Sequence, residues 1–83
     1  MEKEIKLGIY RILRKLGVNR DEIRPETQFQ NDLFFDDMDW NCFLFFVESK
    51  FKISLSEEEE LTLQTIGNSI DIVDRHLHQV EVC

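Results

Sequence analysis

No apolar run in this chain approaches the roughly 20 residues that a membrane-spanning helix needs, so no membrane insertion is expected. The first ten residues, MEKEIKLGIY, carry both signs of charge and lack the apolar core of a secretory signal. The expected location is therefore the cytoplasm. Cysteine is scarce: Cys42 and Cys83 are the only two. They make neither a disulfide framework nor a CxxC pair. The expectation is one buried thiol, Cys42, and one free tail thiol, Cys83. There are no internal repeats, no low-complexity stretches and no linker, which predicts one domain over residues 1–83. A domain of this size buries only about 60% of its unfolded surface. That leaves little room for a deep catalytic cleft.

Positive charge is the next shortage. Ten basic residues face seventeen acidic ones, for a net charge of −7. Residues 1–24 hold seven basic and four acidic residues, whereas residues 25–83 hold three and thirteen. No Lys or Arg lies between Arg24 and Lys50. An acidic body excludes nucleic acid as an expected partner, because phosphates need Lys and Arg. The aromatic residues are not interleaved with basic ones, so base stacking is not expected either. Metal chemistry also lacks its pattern. The acidic stretch Asp32, Asp36, Asp37 and Asp39 has no EF-hand spacing. His76 and His78 are two apart on a helix and face different ways. Paired carboxylates on an exposed loop lack the enclosing pocket that acid–base catalysis needs. No catalytic residue and no metal ligand is expected, and the chain is not expected to be an enzyme.

What remains is a helical pattern with no period-2 strand signal. Ile5, Ile9, Ile12, Leu13 and Leu16 form one buried stripe over residues 2–16. Gly17 ends that helix, and Arg14 and Lys15 suit its negative end. A long connection over 18–36 follows, with a turn near Asp21–Ile23. Pro25 keeps Arg24 out of helical angles. Val18, Ile23, Phe29 and Leu33 are its spaced apolar anchors. A second helix is predicted over Asp37–Phe51, capped by Asp36 or Asp37. Trp40, Phe43, Leu44, Val47 and Phe51 form its stripe. Met38, Cys42, Phe45 and Phe46 widen the apolar surface, so this helix is central or keeps an exposed patch. Ser56 and Glu59 spell a capping box for a short third helix ending at Leu61 or Leu63. Thr65 caps a fourth helix with the stripe Ile66, Ile70, Val73 and Leu77. Fraying is expected after His78.

Taken together, Leu16-Gly17-Val18, Phe29 with Asp32-Leu33, Asp36-Asp37-Met38-Asp39, Phe51, Leu55 with Glu57-Glu58, and Thr65-Ile66 give a spacing that resembles the acyl carrier protein family. The likeness runs over nearly the whole chain without a gap. It implies an all-α fold: a four-helix bundle with a long first loop and a short third helix. The family attaches 4′-phosphopantetheine to the serine of an Asp-Ser-Leu motif at the start of helix two. The matching position here is Asp37, which has no hydroxyl. The resemblance thus implies that the prosthetic group is absent. The chain's serines, Ser49, Ser54, Ser56 and Ser69, do not stand in the family's context. Phe34-Phe35 replace the small pair that often precedes the motif, and crowd the place. Phe46 falls where the family often has Ala, and is expected to fill part of the acyl cleft.

The resemblance also implies a docking face on helix two. By position it comprises Asp36, Asp37, Met38, Asp39, Phe45 and Glu48. Cys42 and Ser49 stand where the family often has Glu, so this face is less acidic than usual and still apolar. The expected function is a non-catalytic docking or scaffold module that takes a protein partner with a basic or apolar surface. A link to lipid, fatty-acid or polyketide-type synthesis comes from the resemblance alone. Two other readings stay open. One is a working carrier with atypical attachment or thiol chemistry at Cys83. The other is a structural subunit that homodimerises through the Phe-rich helix.

Overall fold

The computed structural model describes the backbone of residues 2–82 and the side chains of residues 3–78. Four α-helices follow one another: α1 Glu2–Lys15, α2 Asp37–Phe51, α3 Glu57–Thr62 and α4 Ile66–Val82. A 3-10 turn, Arg20–Glu22, sits in the first connection, where the turn near Asp21–Ile23 was expected. The bounds of α2 agree with those read from the sequence. Its start is set by the Asp36 cap, and its end by Lys52, which turns left-handed at φ 56°. Helix α4 runs on to Val82, past His78, where fraying was expected. Cys83 lies outside the described residues.

Gly17 does the work its position predicts. Its φ is +93°, the left-handed region that a side chain disfavours. The N–H of Val18 donates to the Leu13 carbonyl at 3.0 Å, and that of Gly17 to Arg14 at 3.1 Å. These two bonds are the Schellman arrangement that closes a helix. Val18 is buried and so joins the core directly after the turn.

The core is one cluster. Ile5, Ile9, Ile12 and Leu13 of α1 meet Phe43, Leu44 and Val47 of α2 and Ile66, Ile72 and Val73 of α4. Val18, Phe29 and Leu63 join it from the connections. Phe29 is at the centre of an aromatic group. Its ring centroid lies 4.9 Å from Phe43, 5.1 Å from Trp40 and 5.6 Å from Phe35. Tilted and edge-on pairs at these distances add to the gain from burial.

The long first loop is ordered by backbone pairing with the α3–α4 connection. Gln28 and Thr65 form an isolated antiparallel bridge. Phe29 N–H donates to Gln64 at 3.0 Å, Ile66 N–H to Thr27 at 3.0 Å and Gly67 N–H to Pro25 at 2.9 Å. The last two bonds satisfy N–H groups at the start of α4, which have no partner inside the helix. The buried Thr27 hydroxyl donates to the Glu22 carbonyl at 2.6 Å. The loop is thus a fixed layer over the bundle.

The expectation for Cys42 is corrected. Its thiol is exposed, not buried. On α2 the buried row is Phe43, Leu44 and Val47. Cys42 instead shares the outward row of Met38 and Phe45, which are spaced three and four apart. An apolar residue type inside an apolar stretch did not decide its face; its helical phase did.

Helix α3 contains no buried residue. Its start is fixed by its capping box, and His76 Nε2 of α4 lies 2.8 Å from Glu59 Oε2. The Ser56 N–H donating to Glu59 is the largest cause holding that carboxyl below the ordinary glutamate range; burial opposes it, and His76 adds to the lowering. A lowered folded pKa means the stabilisation is present above the unfolded pKa and lost as acid protonates the folded group. Comparing Glu59→Gln with the wild type by urea titration should therefore show a stability gap at pH 7. That gap should shrink steadily below about 4.5, where glutamate in the unfolded chain begins to bind protons.

Candidate functional site

The start of α2 is built from carboxylates. Asp36 is the N-cap, and its Oδ1 accepts from the Asp39 N–H at 2.8 Å. Asp39 Oδ2 reaches back to the Asp36 N–H at 3.4 Å, completing a capping box in which aspartate takes the usual place of glutamate. The N–H groups and the positive end of the helix dipole favour these charges. Asp36 and Asp39 are therefore committed to holding the helix end. Asp37, at the first helical position, is exposed to solvent. Asp32 is also committed: its Oδ2 accepts from the Gln28 N–H at 2.8 Å within the loop.

The exposed face of α2 carries large apolar side chains. Met38 is 73% exposed and Phe45 is 65% exposed. With Asp37, Asn41, Cys42 and Phe46 they line a shallow depression of about 480 Å³. Of the six residues expected on the docking face, the structure brings Asp37, Met38 and Phe45 together there. Asp36 and Asp39 flank it as the cap. Glu48 differs: it is half-buried, and its Oε2 accepts from the Leu55 N–H at 2.8 Å. Its carboxylate pins the connection after α2.

Phe34 and Phe35 part company. Phe35 is half-buried and packs on Phe29 and on Phe43, 6.3 Å between centroids for the latter. Phe34 is 79% exposed, with a left-handed φ of 56°. That conformation costs a non-glycine residue about 1–2 kcal/mol. It turns the chain sharply between Leu33 and the cap. Crowding at the head of α2 thus rests on Phe34 alone, because Phe35 points into the core.

Phe46 has two neighbours at the surface. It is half-buried at the surface, with the Lys15 ammonium 5.7 Å from its ring centroid and Phe45 5.9 Å away. It packs against the core on its inner side and borders the shallow depression on its outer side. A larger groove, about 730 Å³, lies on another side, between the first loop and α3. Phe29 and Trp40 border it, with Leu61, Leu63, Glu57 and Glu60 opposite. From α2 the groove takes Trp40, one helical turn after the cap. Trp40 was expected in the core stripe; it is half-buried, packed on the core on one side and bordering the groove on the other.

The serines have other positions and tasks. The Ser56 hydroxyl accepts the Glu59 N–H at 3.2 Å. The Ser69 hydroxyl is buried and donates to the Ile66 carbonyl at 2.6 Å. Ser49 and Ser54 are exposed, the first near the end of α2 and the second in the connector after it. Among the described residues no three His, Cys, Asp or Glu side chains converge as a metal site would. No helix there is long and apolar enough to cross a membrane.

No family model matches the chain. Individual proteins do. The acyl carrier protein of Chlorobium phaeovibrioides is 34% identical over 73 residues, 87% of this chain and 94% of that protein. Those of Chlorobium phaeobacteroides and Chlorobium luteolum are each 33% identical over the same shares. These relatives are matched over almost their whole length, and this chain has the four helices, long first loop and short third helix that the resemblance implies. The chain belongs to the acyl carrier protein family.

Proposed function

We propose that this chain is a member of the family that does not carry 4′-phosphopantetheine and serves as a non-catalytic docking or scaffold module. The observation that carries this reading is Asp37. It is exposed at the first position of α2, two residues before the end of an aspartate capping box. The family's arm is held by a phosphodiester to a serine oxygen. A carboxylate supplies no such hydroxyl oxygen, and the depression beside Asp37, lined by Met38, Asn41, Cys42, Phe45 and Phe46, offers no serine or threonine in its place. The residues present do not fit the group. Ser56 and Ser69, engaged in helix-end and core hydrogen bonds, do not offer a replacement.

With the arm gone, the remaining asset of this region is surface. Met38 and Phe45 present apolar area, and Asp36, Asp37 and Asp39 surround its start with negative charge. A protein partner with a basic, partly apolar face is complementary to both. Glu48 contributes less than its position suggests, because its carboxylate is occupied by Leu55. A cytoplasmic module of lipid or polyketide-type synthesis is the setting that family membership favours.

The test is direct. The purified protein is incubated with coenzyme A and a promiscuous phosphopantetheinyl transferase, beside a carrier of known activity. The wild-type mass stays unchanged while the control gains one arm. A gain of one arm on this chain sinks the reading.

A further inference from the structure

We propose that Phe34 is the anchor of the docking surface, entering an apolar pocket rimmed by Lys or Arg on a different protein. This deepens the reading of a docking module and rests on it. Phe34 has the features of a side chain kept outward at a cost. It is 79% exposed, equal to Leu61 and more than Met38 or Phe45. Its backbone is held at φ 56°, where a glycine would sit without strain. The next residue, Phe35, takes the inward place, so the core has no use for the Phe34 ring. Strain of this kind persists where the surroundings over-determine it, and it is concentrated at binding and switch regions. Here the neighbours fix it: Phe35 N–H donates to the Phe29 carbonyl at 3.0 Å on one side, and the Asp36 cap opens α2 on the other.

Charge chooses the occupant. Phe34 is followed by Asp36, Asp37 and Asp39, and no Lys or Arg occurs between Arg24 and Lys50. A second copy paired face to face through this surface would bring the same carboxylates against themselves, on a chain of net charge −7. Like charges so placed suppress that pairing. A basic partner gains attraction where a second copy meets repulsion. An aromatic side chain in a pocket with a charged rim is the arrangement that concentrates binding energy in few residues.

The probe is an amphipathic helical peptide of leucine and lysine at i, i+3, i+4 spacing, titrated by NMR against the 83-residue protein. Phe34→Gly is the informative variant, because folding and docking should move in opposite directions. Relief of the left-handed phenylalanine should raise Tm by about 4–8 °C for a domain of this size. Peptide affinity should fall by about tenfold or more, as for loss of an anchor. Met38→Ala, measured in parallel, separates the two levels of the proposal. If Met38→Ala weakens the peptide and Phe34→Gly does not, the docking face stands and the anchor is overturned. If the wild type shifts no residue of α2, both fall. Concentration-dependent sedimentation that Phe34→Gly abolishes would overturn the basic partner in favour of a second copy.

Discussion

Phe29→Ala should cost about 3–5 kcal/mol of folding stability, the range for deleting a fully buried phenyl ring. An 83-residue domain holds roughly 4–12 kcal/mol in total at the usual 0.05–0.15 kcal/mol per residue. The variant therefore loses about a quarter or more of what keeps it folded. Phe29 is 1% exposed and touches Phe35, Trp40 and Phe43, so the void opens between loop and helix. The damage extends to the loop itself. The Phe29 N–H and carbonyl bond Gln64 and Phe35, so the backbone at this point joins the α3–α4 connection to the entry of α2. Urea unfolding followed by far-ultraviolet circular dichroism reads the loss without depending on Trp40, whose surroundings change. Phe29→Leu keeps part of the volume and should lose much less. A Phe29→Ala midpoint equal to that of the wild type would contradict the central place given to this ring.

Asp37→Ser should turn a refractory chain into a substrate. The substitution places a hydroxyl at the first position of α2 and leaves the Asp36–Asp39 capping box intact. With coenzyme A and the same transferase, the variant should gain one phosphopantetheine where the wild type gains none. Phe34, exposed and bulky, remains three residues before the new hydroxyl. Asp37→Ser combined with Phe34→Gly should therefore be modified faster than Asp37→Ser alone. Intact-mass spectrometry over time gives both rates, and circular dichroism verifies that each variant is folded. Failure of the folded double variant to gain any arm would mean that Asp37 does not occupy the attachment position.

How far the sequence led depends on which force set each feature. Local chemistry was legible. Asp36 before a helix, Gly17 after one and Ser56 three residues before Glu59 each satisfy backbone groups within a turn, and each fell where the spacing put it. The order of the first loop was not legible. It comes from backbone pairing of Thr27–Phe29 with Gln64–Ile66, nearly forty residues away, which leaves no composition signal. Cys42 was misplaced because residue type was weighed above phase: on α2 the row through Met38 and Phe45 faces out. Glu48 looked like a surface charge until its oxygen met the Leu55 N–H, a contact set by how the connector folds back. Phe34 and Phe35 looked alike in sequence. One left-handed residue sent the first outward and the second inward. A phenylalanine where a turn asks for glycine was the available signal.

The central claim is that this carrier-family chain works without its arm. The most direct measurement is the intact mass of the protein isolated from the cells that make it, with no transferase added. The account predicts a mass that leaves no room for phosphopantetheine, and peptide mapping that finds Asp37, Ser49, Ser54, Ser56 and Ser69 unmodified. A species heavier by one phosphopantetheine, on any residue, would contradict it.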